Sequence, residues 1–200
     1  MIAAIILAAG QSSRMGQHKL LLPLREKPVL LHVVDHALAA GFDEALIVVG
    51  YHADDVRRLL AERPVQIVEN PDYAQGQSTS VRAGIAALAP AVEAAIILLG
   101  DQPLVDATTL KLLLEAWQHT TRPIVAPFYH GQRGNPVLFA RTLFQELLSV
   151  TGDQGGREVL QRHAHEIAPV HLDNAEAAQD IDTWQEYQAL LKWLEQTPEL

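Results

Sequence analysis

Short, nearly unbroken apolar runs alternate along this chain with longer stretches whose apolar positions recur every three or four residues. Ile2 to Leu7, Ala45 to Val49, Val65 to Val68 and Ala94 to Leu99 are the short runs. Runs of this length bounded by turn residues predict strands buried on both faces. Between them, Leu30, Val33, Val34, Ala37 and Leu38 share one helical face. Pro28 suits the first turn of that helix, where its missing N–H costs nothing, and Gly41 ends it. A second helix starts near Asp54 and runs through Val56, Leu59 and Leu60. A third is striped by Val81, Ile85 and Leu88, with Gly84 allowing close packing and Ser78, Thr79 and Ser80 as candidate N-caps. Strand and helix alternating at this pitch predict βαβ units, and so an α/β fold with a mostly parallel sheet covered on both faces.

The second half keeps the alternation with one change. Thr108 to Trp117 reads as a helix and Pro123 to Phe128 as a strand. The turn from Tyr129 to Gly134 is too short for a crossover, so Asn135 to Phe139 returns as an antiparallel partner. Leu143 to Leu148 and Glu158 to Gln161 are short helices, and Glu166 to Val170 is a late strand. Thr183 opens the last helix. Glu186 three residues on completes a capping box, and Tyr187, Leu190, Leu191 and Leu194 form the packing face.

Composition sharpens this picture. The 200 residues suit one domain or a tightly joined pair. The absence of cysteine excludes disulfides, zinc–thiolate sites and a cysteine nucleophile, and fits a reducing, cytoplasmic setting. The net charge of -9 and the lack of a basic block argue against a sequence-independent grip on nucleic acid. No apolar stretch has the length of a membrane span, so no membrane partner is expected. The first run passes straight into Gly10-Gln11-Ser12 and reads as a strand, not a signal peptide.

In an acidic chain that binds anions, the few cations must be concentrated. Ligands of parallel sheets sit beyond the carboxyl ends of the strands. There the first run breaks at Ala8-Ala9-Gly10 into small and hydroxylated residues, followed by Arg14 and Lys19. Small residues let backbone N–H groups approach a ligand, and such a nest with added cations suits a polyphosphate. The most apolar run ends in Gly100-Asp101-Gln102-Pro103, which aims a carboxylate at the same crevice. Asp101 suits Mg²⁺, which takes one or two carboxylates beside phosphates and water. The competing role for it is a cap of the element starting near Asp106. Asp180 and Asp182 alternate, so on an extended segment they point the same way. Three hydroxyls at 78–80 beside two amides offer donors and acceptors to a base edge. His32 and His36 have helical metal-ligand spacing without a third ligand nearby and read as paired surface or interface residues, while His163, His165 and His171 receive no role. The opening loop fits neither G-x-x-x-x-G-K-S/T, since Gln17 follows Gly16, nor G-x-G-x-x-G.

Taken together, Leu7-Ala8-Ala9-Gly10-x-Ser12-x-Arg14-Met15-Gly16-x-x-Lys19, Gly100-Asp101-Gln102-Pro103 and Asp180-Ile181-Asp182-Thr183 resemble the nucleotidyltransferases of the molybdenum-cofactor type. The stretch Arg133-Gly134-Asn135-Pro136-Val137-Leu138-Phe139 and the Gly-Asp-x-Gly-x-Arg loop at 152–157 resemble the cytidylyltransferase branch. The resemblance implies a single Rossmann-like three-layer domain over 1–200. It implies nucleotide binding by Leu7, Ala8, Ala9 and Gly10, with Ser80 near the base. It makes Arg14, Lys19 and Asp101 catalytic, the two cations on the triphosphate, and Asp101 with Asp182 the holders of Mg²⁺ or Mn²⁺. Arg133, Asn135, Asp153 and Arg157 would face the second substrate. The implied reaction moves CMP from CTP onto the phosphate of the molybdenum pterin and releases pyrophosphate. The absence of a basic group near Gln77, present in some relatives, leaves the base open. GTP or ATP, a sugar or polyol phosphate acceptor, and a carrier serving a molybdenum enzyme remain as alternatives.

Overall fold

The computed structural model describes residues 1–12 and 14–197; Ser13 and the last three residues lie outside them. In chain order the strands are β1 (Ile2–Ala8), β2 (Pro23–Leu24), β3 (Lys27–Pro28), β4 (Glu44–Val49), β5 (Gln66–Glu69), β6 (Ala94–Leu99), β7 (Ile124–Tyr129), β8 (Gln132–Arg133), β9 (Val137–Ala140) and β10 (Ile167–Leu172). The helices are α1 (Val29–Ala40), α2 (Ala53–Leu59), α3 (Gln77–Ala86), α4 (Ala107–Gln118), α5 (Phe144–Leu148), α6 (Arg157–Arg162) and α7 (Trp184–Gln196).

The central sheet runs β10-β7-β9-β6-β1-β4-β5, with β8 extending β7. All pairs are parallel except those made by β9 and β8. The antiparallel return expected after Tyr129 is therefore real, and β9 inserts between β6 and β7. The two faces of β1 sort the layers. Ala4, Ile6 and Ala8 pack with Leu30, Val33 and Val34 of α1, Val56 of α2 and Leu110 and Leu113 of α4. Ala3, Ile5 and Leu7 pack with Val81 and Ile85 of α3, Phe144 and Leu147 of α5 and Val159 of α6. A strand with no polar face needs cover on both sides, and these helices supply it. Gly84 permits the closest of these contacts, since a Cβ there would lie 2.5 Å from Ile5 Cγ2.

A third cluster lies off the sheet and bears on the site. Met15, Leu24, Val29, Leu104, Ile181, Tyr187, Leu190 and Leu194 pack together, so α7 lies against the residues after β1 and the β2–β3 hairpin. The capping box at its start is present: Thr183 Oγ1 accepts from Glu186 N (3.2 Å), and Thr183 N donates to Glu186 Oε2 (2.7 Å).

Several local expectations change. Pro28 precedes α1, pairing Pro23 in the hairpin, and is not in the helix's first turn. None of Ser78, Thr79 and Ser80 caps α3; Gly76 holds the N-cap position, and Asp153 Oδ1 accepts from Gln77 N (3.1 Å). The sequence pattern pointed to local hydroxyls because the partner lies 76 residues away. His32 and His36 are half-buried, each ring meeting a backbone carbonyl, Leu24 O (2.8 Å) and Val105 O (3.1 Å).

Candidate active site

Parallel register places Leu7 beside Leu99, so the loops leaving β1 and β6 emerge side by side. Gly100 N donates to Leu7 O (3.0 Å), which fixes the turn carrying Asp101. Asp106 caps α4 through Thr109 N (2.7 Å), so the capping duty belongs to it and Asp101 remains directed at the crevice. The third contribution comes from far along the chain. Ile181 N donates to Asp101 O (3.2 Å) while the Ile181 side chain is buried in the off-sheet cluster. That one residue anchors the 180–182 segment against β6 and delivers Asp182.

Lys19 collects these groups. Its Nζ donates to Asp101 Oδ2 and to Asp182 Oδ1 (2.8 Å), and Arg14 donates to Asp182 Oδ2 (2.7 Å). Lys19 is itself positioned by the loop, its backbone N donating to Ser12 Oγ (3.2 Å). Burial works to lower the Lys19 pKa, but the two carboxylates outweigh it and hold the ammonium above its ordinary value. The Lys19 hydrogen bond, and then the charges of Lys19 and Arg14, hold Asp182 below the usual carboxylate range. Asp180 behaves oppositely. Burial, and then the neighbouring Asp101 charge, push its carboxyl up to about 6, although Gln102 donates to it (2.6 Å). Asp180 and Asp182 line one cleft as alternation predicted, yet their partners differ.

The cleft has a volume of about 840 Å³ and opens at the carboxyl ends of β1 and β6. Leu7, Ala9, Gly10 and Lys19 line one wall; Tyr73, Gln75, Gln77 and Ser80 another; Arg133, Asn135, Asp153 and Arg157 the far side. Ala8 is fully buried with its side chain in the core. Arg14 stands at the rim, its side chain 70% exposed, and reaches the site through Asp182. Thr79 and Ser80 both accept from Asn70 Nδ2 (2.8 and 3.0 Å), while Ser78 donates to Gly152 O. Of the three hydroxyl residues, Ser80 alone lines the cleft.

Arg133 and Arg157 form a second cationic centre. Partial burial, and then the charge of Arg157, hold the Arg133 guanidinium below its usual value. Among the described residues, these two guanidiniums are the ones with no hydrogen-bonded or ionic partner. The other arginines pair with acids or reach backbone carbonyls. The unassigned histidines lie elsewhere: His163 between Glu146 and Glu166, His165 exposed, His171 against Phe128. Sequence reasoning gave no role to Gln102 or Tyr129, though Gln102 sits inside a quoted motif.

No group of three or more His, Asp or Glu among the described residues could hold a metal ion. Asp101 and Asp182 instead offer two hard oxygen donors at one point, a set that suits a divalent ion sharing phosphate and water oxygens.

Residues 4–167 match the family model described as the MobA-like NTP transferase domain. The chain belongs to that family. It is a nucleotidyltransferase. The molybdenum cofactor cytidylyltransferase of Escherichia coli (strain K12) is 31% identical over 183 residues, 91% of each chain. Nicotine blue oxidoreductase of Paenarthrobacter nicotinovorans is 29% identical over 199 residues, 95% of this chain and 96% of its own. Among solved structures, Rv0371c of Mycobacterium tuberculosis H37Rv in complex with manganese superposes with a TM-score of 0.83 at 31% identity, covering 96% of this chain and 98% of that one. The Rossmann-like, three-layer reading of the sequence is thereby met in fold and family. No helix of the described residues is long and apolar enough to cross a membrane.

Proposed function

We propose that this nucleotidyltransferase moves CMP from CTP onto the phosphate of a molybdenum pterin, releasing pyrophosphate. The convergence of Lys19, Asp101 and Asp182 at the carboxyl ends of β1 and β6 carries the reading. The cytidylyltransferase relative and the shared motifs support the choice of nucleotide and acceptor.

Backbone groups of Leu7 to Gly10 hold the nucleotide, with Ser80 toward the base. Lys19 and Arg14 hold the triphosphate, exchanging carboxylate partners for phosphate oxygens, since charge-assisted bonds to phosphate are among the strong ones. Arg133 and Arg157 draw the acceptor phosphate to the opposite side, with Asn135 and Asp153 beside them. An oxygen of that phosphate attacks the α-phosphorus; the new P–O bond forms as the bond from the α-phosphorus to its β-bridging oxygen breaks. A phosphate nucleophile is already ionised, so no general base is required. The chain's task is to align two anions that repel each other and to stabilise charge on the leaving group. Asp101 and Asp182 would hold Mg²⁺ or Mn²⁺, which when bound supplies charge neutralisation at the phosphates.

Pyrophosphate release assayed with each of four nucleoside triphosphates, with and without the molybdenum pterin, tests this directly. Release only with CTP, the pterin and Mg²⁺ is expected. A preference for GTP or ATP, turnover with a sugar or polyol phosphate, or pterin binding without release would overturn it.

A further inference from the structure

Asp182 reaches the site from a stretch with little structure of its own. Residues 179–183 lie in no strand or helix, between a short 3₁₀ turn (Ala175–Ala178) and α7. The turn after β6 fixes them on the cleft side. Asp101 O accepts from Ile181 N (3.2 Å), and the next residue, Gln102, reaches across with its side chain. Gln102 Nε2 donates to Asp180 Oδ1 (2.6 Å) and faces Ala178 O (3.4 Å). Consecutive residues of one turn thus hold consecutive residues of the other segment. The turn itself is closed by Gln102 N on Leu99 O (3.2 Å) and Val105 N on Gln102 O (3.3 Å), so the amide is held at its base.

Gln102 is 2% exposed, and its bonding is lopsided. Both partners of the nitrogen are acceptors, so the orientation of the amide is fixed, with Oε1 facing away from them. That Oε1 is buried and accepts from no described residue. An unpaired buried acceptor lowers stability. A methionine would fill nearly the same volume without that cost, so packing alone does not account for an amide here. What the amide supplies, and a methionine would not, is the hold on Ala178 and Asp180 just ahead of Asp182.

We propose that Gln102 is a positioning residue for the acidic pair: acting through Asp180, it sets Asp182 opposite Asp101 and thereby the affinity of the pair for a divalent ion. Gln102 touches neither substrate nor metal in this role. The inference rests on the assignment of Asp101 and Asp182 to the metal, and adds the residue that holds the second carboxylate in place. Loss of a group that orients a metal-holding side chain typically costs about 10–100-fold in metal affinity. The hydrogen bond matters here, not the charge of residue 180. Asp180→Asn still presents an oxygen to accept from Gln102, whereas Gln102→Met removes the donor and keeps the shape.

The test is calorimetric: the CTP association constant with Mn²⁺ divided by that with a chelator in its place. Lys19 and Arg14 are present in both conditions, so the ratio isolates what the metal adds. Gln102→Met should lower the ratio about tenfold while leaving metal-free CTP affinity unchanged. Gln102→Asn, whose amide is one methylene short of Asp180, should lower it in the same direction, which keeps the test decisive if the methionine variant does not fold. Asp180→Asn should hold the ratio within about threefold of the unmodified protein. The exchange of Gln102→Glu with Asp180→Asn reverses the hydrogen bond at constant charge and should restore it. An undiminished ratio in a folded Gln102→Met or Gln102→Asn protein overturns the proposal, even if CTP affinity falls equally in both conditions. An exchanged pair as impaired as Gln102→Met also overturns it. A ratio near one in the unmodified protein contradicts the metal assignment itself, whereas a high ratio that ignores both Gln102 variants contradicts this inference alone.

Discussion

Two cationic centres face the same cleft and differ in what surrounds them. Lys19 and Arg14 stand among carboxylates, each paired within the chain. Arg133 and Arg157 have no described partner, and burial, then the neighbouring Arg157 charge, holds the Arg133 guanidinium below its usual value. The first centre is neutralised within the chain, and in the proposed reaction it acts by exchanging partners. The second keeps positive charge unneutralised in a concave surface, where it costs stability and, in the proposed reaction, would draw the acceptor's anion. An enzyme that must bring two phosphates together benefits from this asymmetry, since equal centres would not distinguish donor from acceptor.

The largest effect is expected at Lys19. Lys19→Ala leaves Asp101 and Asp182 facing each other without their shared cation. Turnover in pyrophosphate release should fall by about 10²–10³, the scale of losing one preorganised charge-stabilising donor. Turnover within about threefold of the unmodified protein would remove Lys19 from the mechanism.

Arg157→Ala should act more mildly and on the other substrate. Acceptor KM should rise about tenfold, as expected for one charge-assisted contact, with kcat nearly unchanged. Its melting temperature should hold or rise, because a like-charge contact has been removed. A lowered melting temperature would show that Arg157 has a structural partner after all.

The smallest effect calibrates both centres against a cation outside the cleft. The hydrogen bond His163 donates to Glu166, aided by Glu146, raises the His163 pKa against the opposing effect of burial. A raised pKa contributes stability that is fully present below the unfolded value near 6.5 and is lost as pH rises through the folded value. His163→Gln should therefore cost about 0.5 kcal/mol at pH 5.5 and nothing measurable at pH 9, in keeping with a surface pair. Denaturant titrations at the two pH values check this, and turnover should not respond.

Much of this was legible in the chain because it is local. Unbroken apolar runs revealed β1, β4 and β6, and the short turn after Tyr129 implied an antiparallel return. The loop chemistry at Gly10 to Lys19 and at Asp101 pointed to the carboxyl ends of the strands, where Lys19 and Asp101 do meet. What the residues withheld depends on distant pairing. Asp182 reaches Asp101 through Ile181, a link between positions 80 apart that no spacing rule encodes. The cap of α3 comes from Asp153, so the nearby hydroxyls misled. That Arg133 and Arg157 lack partners while Arg14 and Lys19 have them is a property of the folded surface and leaves no mark in composition. Gln102 stood in plain view within its motif, but its orphaned oxygen exists only once Asp180 and Ala178 have claimed its nitrogen.

The division of labour between the two centres is tested most directly by calorimetric titration of CTP, in the presence of Mg²⁺, into Lys19→Ala and Arg157→Ala. That division predicts affinity weakened at least about tenfold in the first and unchanged in the second. Weakened CTP binding in Arg157→Ala with full affinity in Lys19→Ala would contradict it.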